Sequence, residues 1–335
     1  MQEAYIKASN ADSGDGLGSA IALDGDTLAV WASKEDSNQT TITNGTTSSS
    51  NNSNSSSGAV YVYKRTGSSW AQEAYIKAVN NQAGDQFGYP ILNGDTLVAT
   101  TNLEDSNQTT ITNGTTASTN NSSTDSGAVY VYKRTGSTWV QEAYIKAANN
   151  DAEDYFGNSR YSAIDGDTLA IGATGEDSNQ NVITNGTSAS SNNSSENSGA
   201  VYVYKRTGST WAQEAYIKPS NSDAGDGFGG SVSISGNLLA VGATGEDSNQ
   251  VTIMNDSSAS GNNDTSNSGA VYIFERTGTS WAQVAYIKAP NPDVDDYFGR
   301  SVSLDNKTLL VTSRDDSNQT TITNGTTASS DNSNT

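Results

Sequence analysis

Carboxylates recur along this chain in matched sets, and they are its main candidates for chemistry. Asp12 and Asp15 are followed by Glu35 and Asp36, Asp85 by Glu104 and Asp105, and Asp151 and Asp154 by Glu176 and Asp177. Asp223 and Asp226 are followed by Glu246 and Asp247, and Asp293 and Asp296 by Asp315 and Asp316. Each set joins an acidic turn to a second acidic run further along. Carboxylates gathered with Asn side chains and backbone carbonyls suit a hard cation, and calcium is the cofactor expected at one or more of the sets. The competing reading is solvated turn residues whose Asp side chains bond to their own backbone.

Carboxylates alone can also run glycoside hydrolysis. An active site is usually singular, however, and these groups repeat, so no enzyme is expected. The chain contains neither cysteine nor histidine. That excludes disulfides, thiol catalysis, zinc sites with Cys or His ligands, and Ser-His-Asp triads. Seventeen Lys and Arg stand against 37 Asp and Glu, a formal net charge of −20. Nucleic acid is excluded as a partner, because binding it needs clustered cations that displace counterions. Anionic membrane surfaces are disfavoured for the same reason. No apolar run reaches transmembrane length, and Met1 leads directly into repeat register, which reads as no signal peptide.

The elements that position these groups repeat with them. Gln2-Glu3-Ala4-Tyr5-Ile6-Lys7 recurs at Gln72, Gln141 and Gln213, and with one change at Gln283, giving offsets of 70, 69, 72 and 70 residues. A long fixed period marks a repeat architecture. The repeats run 2–71, 72–140, 141–212, 213–282 and 283–335, the last truncated, and form one domain. Each repeat holds four short apolar segments. Examples are Ser231–Ile234 for the first, Leu238–Gly242 for the second, Gly199–Tyr204 for the third and Trp211–Lys218 for the fourth. Asp24-Gly25-Asp26 and Asn93-Gly94-Asp95 sit between the first and second segments, and such turns are strong hairpin signals. β-branched and aromatic residues alternate in the third and fourth segments, as strands require. Four antiparallel strands per repeat describe an all-β β-propeller of about five blades, the fifth incomplete.

Between the second and third strands lies a tract such as Gln39–Ser57, almost wholly Ser, Thr, Asn and Gly. Its composition predicts mobile surface loops on one face, in line with the acidic turns. The fourth and first strands meet at the same end as the second and third, so both acidic runs of a set belong at one end of their sheet. The fifth repeat lacks its third strand. Residues 2–8 are a candidate for its outer strand, and strand donation from another copy is the alternative.

Phe228-Gly229 followed by Val241-Gly242-Ala243 resembles the FG-GAP repeat, the blade unit of integrin α-subunit propellers. Glu246-Asp247-Ser248-Asn249 and Ser268-Gly269-Ala270-Val271-Tyr272 are similar to microbial members of that family. The resemblance implies an extracellular or cell-surface protein of adhesion or structural type. It also implies a calcium loop between the first and second strands, but Asp165-Gly166-Asp167 there is too short to wrap a cation. Leu17 replaces Phe in the first repeat, and Thr100-Thr101 and Thr312-Ser313 replace Gly-Ala in two others.

The tyrosines repeated on the third and fourth strands, such as Tyr61, Tyr63 and Tyr75, read as packing rather than a sugar platform. Trp70, Trp139, Trp211 and Trp281 read as outer-edge packing, and Trp31 as a packing variant at the Gly of Gly-Ala. Asn38, Asn44, Asn107, Asn113, Asn185, Asn318 and Asn324 head Asn-x-Ser/Thr triplets, which are glycosylation acceptors if the source is a eukaryote. The partners expected are other copies of the chain, surface proteins or glycans. Two further readings stand beside the adhesion scaffold: a filament or sheath subunit joined by strand exchange, and a glycan-binding module. Residues unique to one repeat, such as Lys34 and Arg314, would favour a single binding site.

Overall fold

The computed structural model describes residues 2–158, 161–314, 322–325 and 328–329. Every regular element among them is a β-strand. The first sheet contains β1 (Leu17–Asp24), β2 (Thr27–Ala32), β3 (Thr43–Asn44), β4 (Ala59–Thr66) and β5 (Ser69–Ile76). The second contains β6 (Tyr89–Asn93), β7 (Thr96–Thr101), β8 (Thr112–Asn113), β9 (Ala128–Thr135) and β10 (Thr138–Ile145). The third contains β11 (Ser162–Asp165), β12 (Thr168–Ala173), β13 (Thr184–Asn185), β14 (Ala200–Thr207) and β15 (Thr210–Ile217). The fourth contains β16 (Ser231–Ser235), β17 (Leu238–Ala243), β18 (Ala270–Thr277) and β19 (Ser280–Ile287), and the fifth β20 (Ser301–Asp305) and β21 (Thr308–Thr312). These are antiparallel sheets of the kind that form propeller blades.

The chain falls into two compact units, Met1–Ser159 with Arg206–Ala212, and Arg160–Lys205 with Gln213–Thr335. Within each unit, first strands of successive sheets lie against one another, β1 beside β6, β11 beside β16, and β16 beside β20. The expected hairpins form as the Asp-Gly and Asn-Gly turns require. Gly25 and Gly94 have φ of +55° and +57°, where a side chain would be strained. The turns also join neighbours, since Gly94 N–H donates to the Asp24 carboxylate and Gly236 N–H to that of Asp165.

The sequence motifs mark close contact between successive repeats. Phe87 N–H donates to the Ser57 carbonyl at 2.9 Å, and Phe228 N–H to that of Ser198 at 3.0 Å. A Cβ on Gly58 or Gly199 would lie 2.3 or 2.1 Å from the next Phe carbonyl oxygen, so only glycine fits. The Gly of Gly-Ala has the same reason. A Cβ on Gly242 would stand 2.2 Å from the Gly299 oxygen. Trp31 occupies this place in the first sheet and contributes its indole N–H to the Phe87 carbonyl at 3.0 Å. The packing role read for it therefore holds. The Phe rings enter the core: Phe87 meets Tyr130 edge-on at 5.0 Å, and Phe228 meets Tyr272 at 5.5 Å. The repeated tyrosines of the third and fourth strands are buried; Tyr5 of the first copy, on no strand, is exposed.

Three expectations change. Residues 2–8, the candidate for an outer strand, form no strand. Each complete sheet was expected to have four strands, yet three of the sheets gain a two-residue fifth strand beyond the fourth, giving the order β1-β2-β4-β5-β3 in the first. That strand comes from the low-complexity tract. The tract is fixed by hydrogen bonds rather than by burial: Gly45 N–H donates to the Glu73 carbonyl at 2.6 Å, and Gln72 Nε2 to the Thr47 carbonyl at 3.1 Å. Its polar composition still supplies backbone and amide partners for an otherwise open strand edge. In the fourth sheet a single bridge, Met254 to Tyr286, takes the place of this strand.

Candidate functional site

The two acidic runs of a set do meet at one end of a sheet. Lys34 N–H donates to the Asp15 carbonyl at 2.9 Å, Gly245 N–H to that of Asp226 at 3.0 Å, and Arg314 N–H to that of Asp296 at 2.6 Å. The side chains, however, turn to separate tasks. Glu35, Glu104, Glu176 and Glu246 are buried and each pairs with a buried lysine, at 2.8 Å to Lys77, 2.8 Å to Lys146, 2.9 Å to Lys218 and 2.6 Å to Lys288. The lysine closes the fourth strand of the same sheet.

The network around each pair is satisfied. Lys77 Nζ also donates to Ser57 Oγ at 2.7 Å and to the Gly58 carbonyl at 2.6 Å. Glu35 accepts from the Tyr75 hydroxyl at 2.7 Å, from Ser37 N–H at 3.1 Å and from Asn10 Nδ2 at 3.1 Å. The same Tyr, Ser and Lys partners serve Glu246. A buried pair with every lone pair and proton engaged is the arrangement that tolerates desolvation. Burial pulls each of these lysines below the ordinary lysine pKa, while the neighbouring glutamate opposes the shift.

The Asp that follows each Glu caps a left-handed turn. Asp36, Asp105, Asp177 and Asp247 accept from the N–H of Ser56, Asp125, Asn197 and Asn267 at 2.7, 2.9, 2.7 and 2.6 Å. All four donors have positive φ. In the acidic turns, Asp15, Asp154, Asp226 and Asp296 are buried and accept from the N–H of Asp12, Asp151, Asp223 and Asp293. Asp85 is buried too. Burial, reinforced by Glu104 and Asp105, pushes the Asp85 carboxyl up to about 8. Burial likewise raises Asp226 to about 7, against the opposing backbone N–H of Asp223. Asp12 and Asp223 lie at the surface, where they accept from the amides of Asn52 and Asn263. Among the described residues no group of three or more acidic side chains is placed to hold a metal ion. Asp315 and Asp316 lie outside the described residues.

The lysines were missed as site residues. Their signal was a cation closing an apolar Tyr-Ile run in every copy, a place where a strand should bury its side chains. Lys7, in the copy that forms no strand, is exposed.

The acceptor asparagines divide. Asn38, Asn107 and Asn324 are exposed, and Asn318 lies outside the described residues. Asn44, Asn113 and Asn185 clasp the tryptophan of the following sheet with both amide atoms. Asn44 donates to the Trp139 carbonyl at 3.2 Å and accepts from its N–H at 2.7 Å. Asn113 and Asn185 do the same for Trp211 and Trp281. The indole N–H of each of these tryptophans donates to Glu73, Glu142 or Glu214, which also pairs with Arg134, Arg206 or Arg276. The tryptophans thus pack at the outer strand, as their period implied. Among the described residues no Asn clasps Trp70, which is only half-buried.

The sequence model described as FG-GAP repeat matches residues 139–204, 211–274 and 281–328, just over half of the chain. No curated protein matches the chain.

Proposed function

The chain belongs to the FG-GAP repeat family, and on that premise we propose that it is a non-enzymatic scaffold of a cell surface or extracellular structure, its sheets the blades of a β-propeller. One observation carries the reading. Among the described residues the repeated polar groups are largely taken up in holding the scaffold: Glu35, Glu104, Glu176 and Glu246 in Lys pairs, the Asp after each of them in a turn cap, and Asn44, Asn113 and Asn185 in Trp clasps. A catalytic carboxylate needs access to substrate, and the four Lys-paired glutamates are buried. The groups left for partners are those on the tracts and those that differ between repeats. No helix among the described residues is long and apolar enough to cross a membrane. Surface biotinylation of intact source cells tests it. The chain should be labelled without lysis and removed by external protease; labelling only after lysis rejects the reading.

A second reading has its own observation. Among the described residues the fifth sheet has only β20 and β21, and Leu310 on β21 is exposed. In this reading a strand like Ala270–Thr277, supplied by another copy, pairs with that edge and builds a filament or sheath. Sedimentation distinguishes the two: a concentration-independent monomer excludes exchange between copies.

A further inference from the structure

One cavity breaks the repetition. It encloses about 480 Å³ in the second unit, within the size range of small-ligand sites, about 300–1,000 Å³. Its walls come from three successive sheets: Tyr161 and Thr174 from the third, Thr244 from the fourth, and Tyr297, Arg300 and Arg314 beside the fifth. Space for it opens because the fourth repeat carries Gly227 and Gly230 where the fifth has Tyr297 and Arg300, and the third Tyr155 and Asn158.

The two arginines are exceptional among the described arginines. Arg65, Arg134, Arg206 and Arg276 each pair with carboxylates. Among the described residues Arg300 and Arg314 have no acidic partner. Arg314 stacks on the Tyr297 ring at 5.9 Å. Asp295, in the same turn, accepts from the Tyr297 hydroxyl at 3.1 Å, which orients the ring. Backbone bonds from Arg300 N–H to Tyr297 and Thr312 fix the base of its side chain. On a chain of net charge −20, a pocket whose two guanidinium groups have no acidic partner among the described residues selects an anion locally while the surrounding field repels polyanions. Guanidinium forks match the planar or tetrahedral oxygens of carboxylate and sulfate. Tyrosine rings offer flat faces for the C–H side of a sugar, and the Thr174 and Thr244 hydroxyls offer partners for its hydroxyls.

We propose that this pocket binds an acidic saccharide, a sugar unit bearing a carboxylate or sulfate, with Arg300 and Arg314 holding the anionic group and Tyr161 and Tyr297 flanking the ring. The site does not depend on whether the chain is an adhesion scaffold or a filament subunit.

Isothermal titration of the full chain tests it with three probes: a galacturonate trisaccharide, a sulfated heparin tetrasaccharide and a neutral chitotriose. At least one acidic probe should bind, more weakly as salt rises, and chitotriose should not. Arg300→Gln with Arg314→Gln should weaken binding about tenfold or more, the loss expected from removing hydrogen bonds to a charged group. Gly230→Asn keeps both charges but fills the space, and should abolish binding while unchanged circular dichroism confirms the fold. Equal binding by Gly230→Asn and the parent would place the ligand elsewhere and overturn the proposal. So would no binding by either acidic probe at low salt. Competition by inorganic sulfate as strong as by the saccharides would remove the sugar from the assignment and likewise overturn it.

Discussion

The two ends of each outer strand hold the same kind of charge pair in opposite surroundings. At the lysine end, Lys218 and Glu176 are 0% and 1% exposed. At the tryptophan end, Arg206 and Glu142 are 18% and 9% exposed, and in the first sheet Arg65 and Glu3 reach 38% and 41%. The lysine end is closed by strands of its own sheet. In the second to fourth sheets the tryptophan end is closed by the tract of the preceding sheet. Solvent screening then decides what each pair is worth: little where water reaches it, and much for the partner left behind where water does not.

The largest effect should come from breaking one buried pair. Lys218→Met leaves Glu176 charged and enclosed, and is expected to cost about 3–5 kcal/mol in denaturant unfolding. Adding Glu176→Gln should recover most of that loss. If the double variant is no better than the single one, the two groups are not coupled and the contrast between the ends fails.

A pH series sharpens the same contrast. The folded pKa of Asp85, about 8, lies above the unfolded value of about 3.9. Between those values the folded chain holds a proton that the unfolded chain has released, so this group makes stability fall as pH rises from about 4 to 8. Asp85→Asn should flatten the melting-temperature profile over that window and raise stability at its alkaline end. A profile that keeps the parent's slope would show that Asp85 is not the titrating group.

At the tryptophan end, Asn113→Ala removes two bonds to the Trp211 backbone and should cost about 1–2 kcal/mol. The informative readout is limited proteolysis: cleavage should accelerate in the tract around Asn113 and not in the tract around Asn44. Equal acceleration in both would mean that the clasp is not local. The smallest effect belongs to Arg65→Ala, at a solvent-screened pair, where the melting curve should stay within experimental scatter.

Much of the fold was legible. Alternating β-branched and aromatic residues marked the strands, Asp-Gly and Asn-Gly marked the hairpins, and the period placed the Phe-Gly pairs. These signals are local, set by φ preferences and by the two-residue repeat of a strand. The meeting of the two acidic runs also followed, because antiparallel order fixes which connections share an end. The fate of the carboxylates did not follow. Glu35 and Lys77 stand 42 residues apart, and nothing local to either says that one is buried against the other. Composition likewise gave no sign that a two-residue piece of each of three tracts pairs with the fourth strand, since it counts apolar area and not the open strand edge that their backbone could satisfy.

By itself, then, the sequence determined the strands, their turns and the repeat that orders them, because each rests on neighbours in the chain. Only the tertiary structure decided which charges are enclosed and which face water. That choice depends on desolvation, and desolvation depends on every strand and tract that closes over a group, wherever in the chain it comes from.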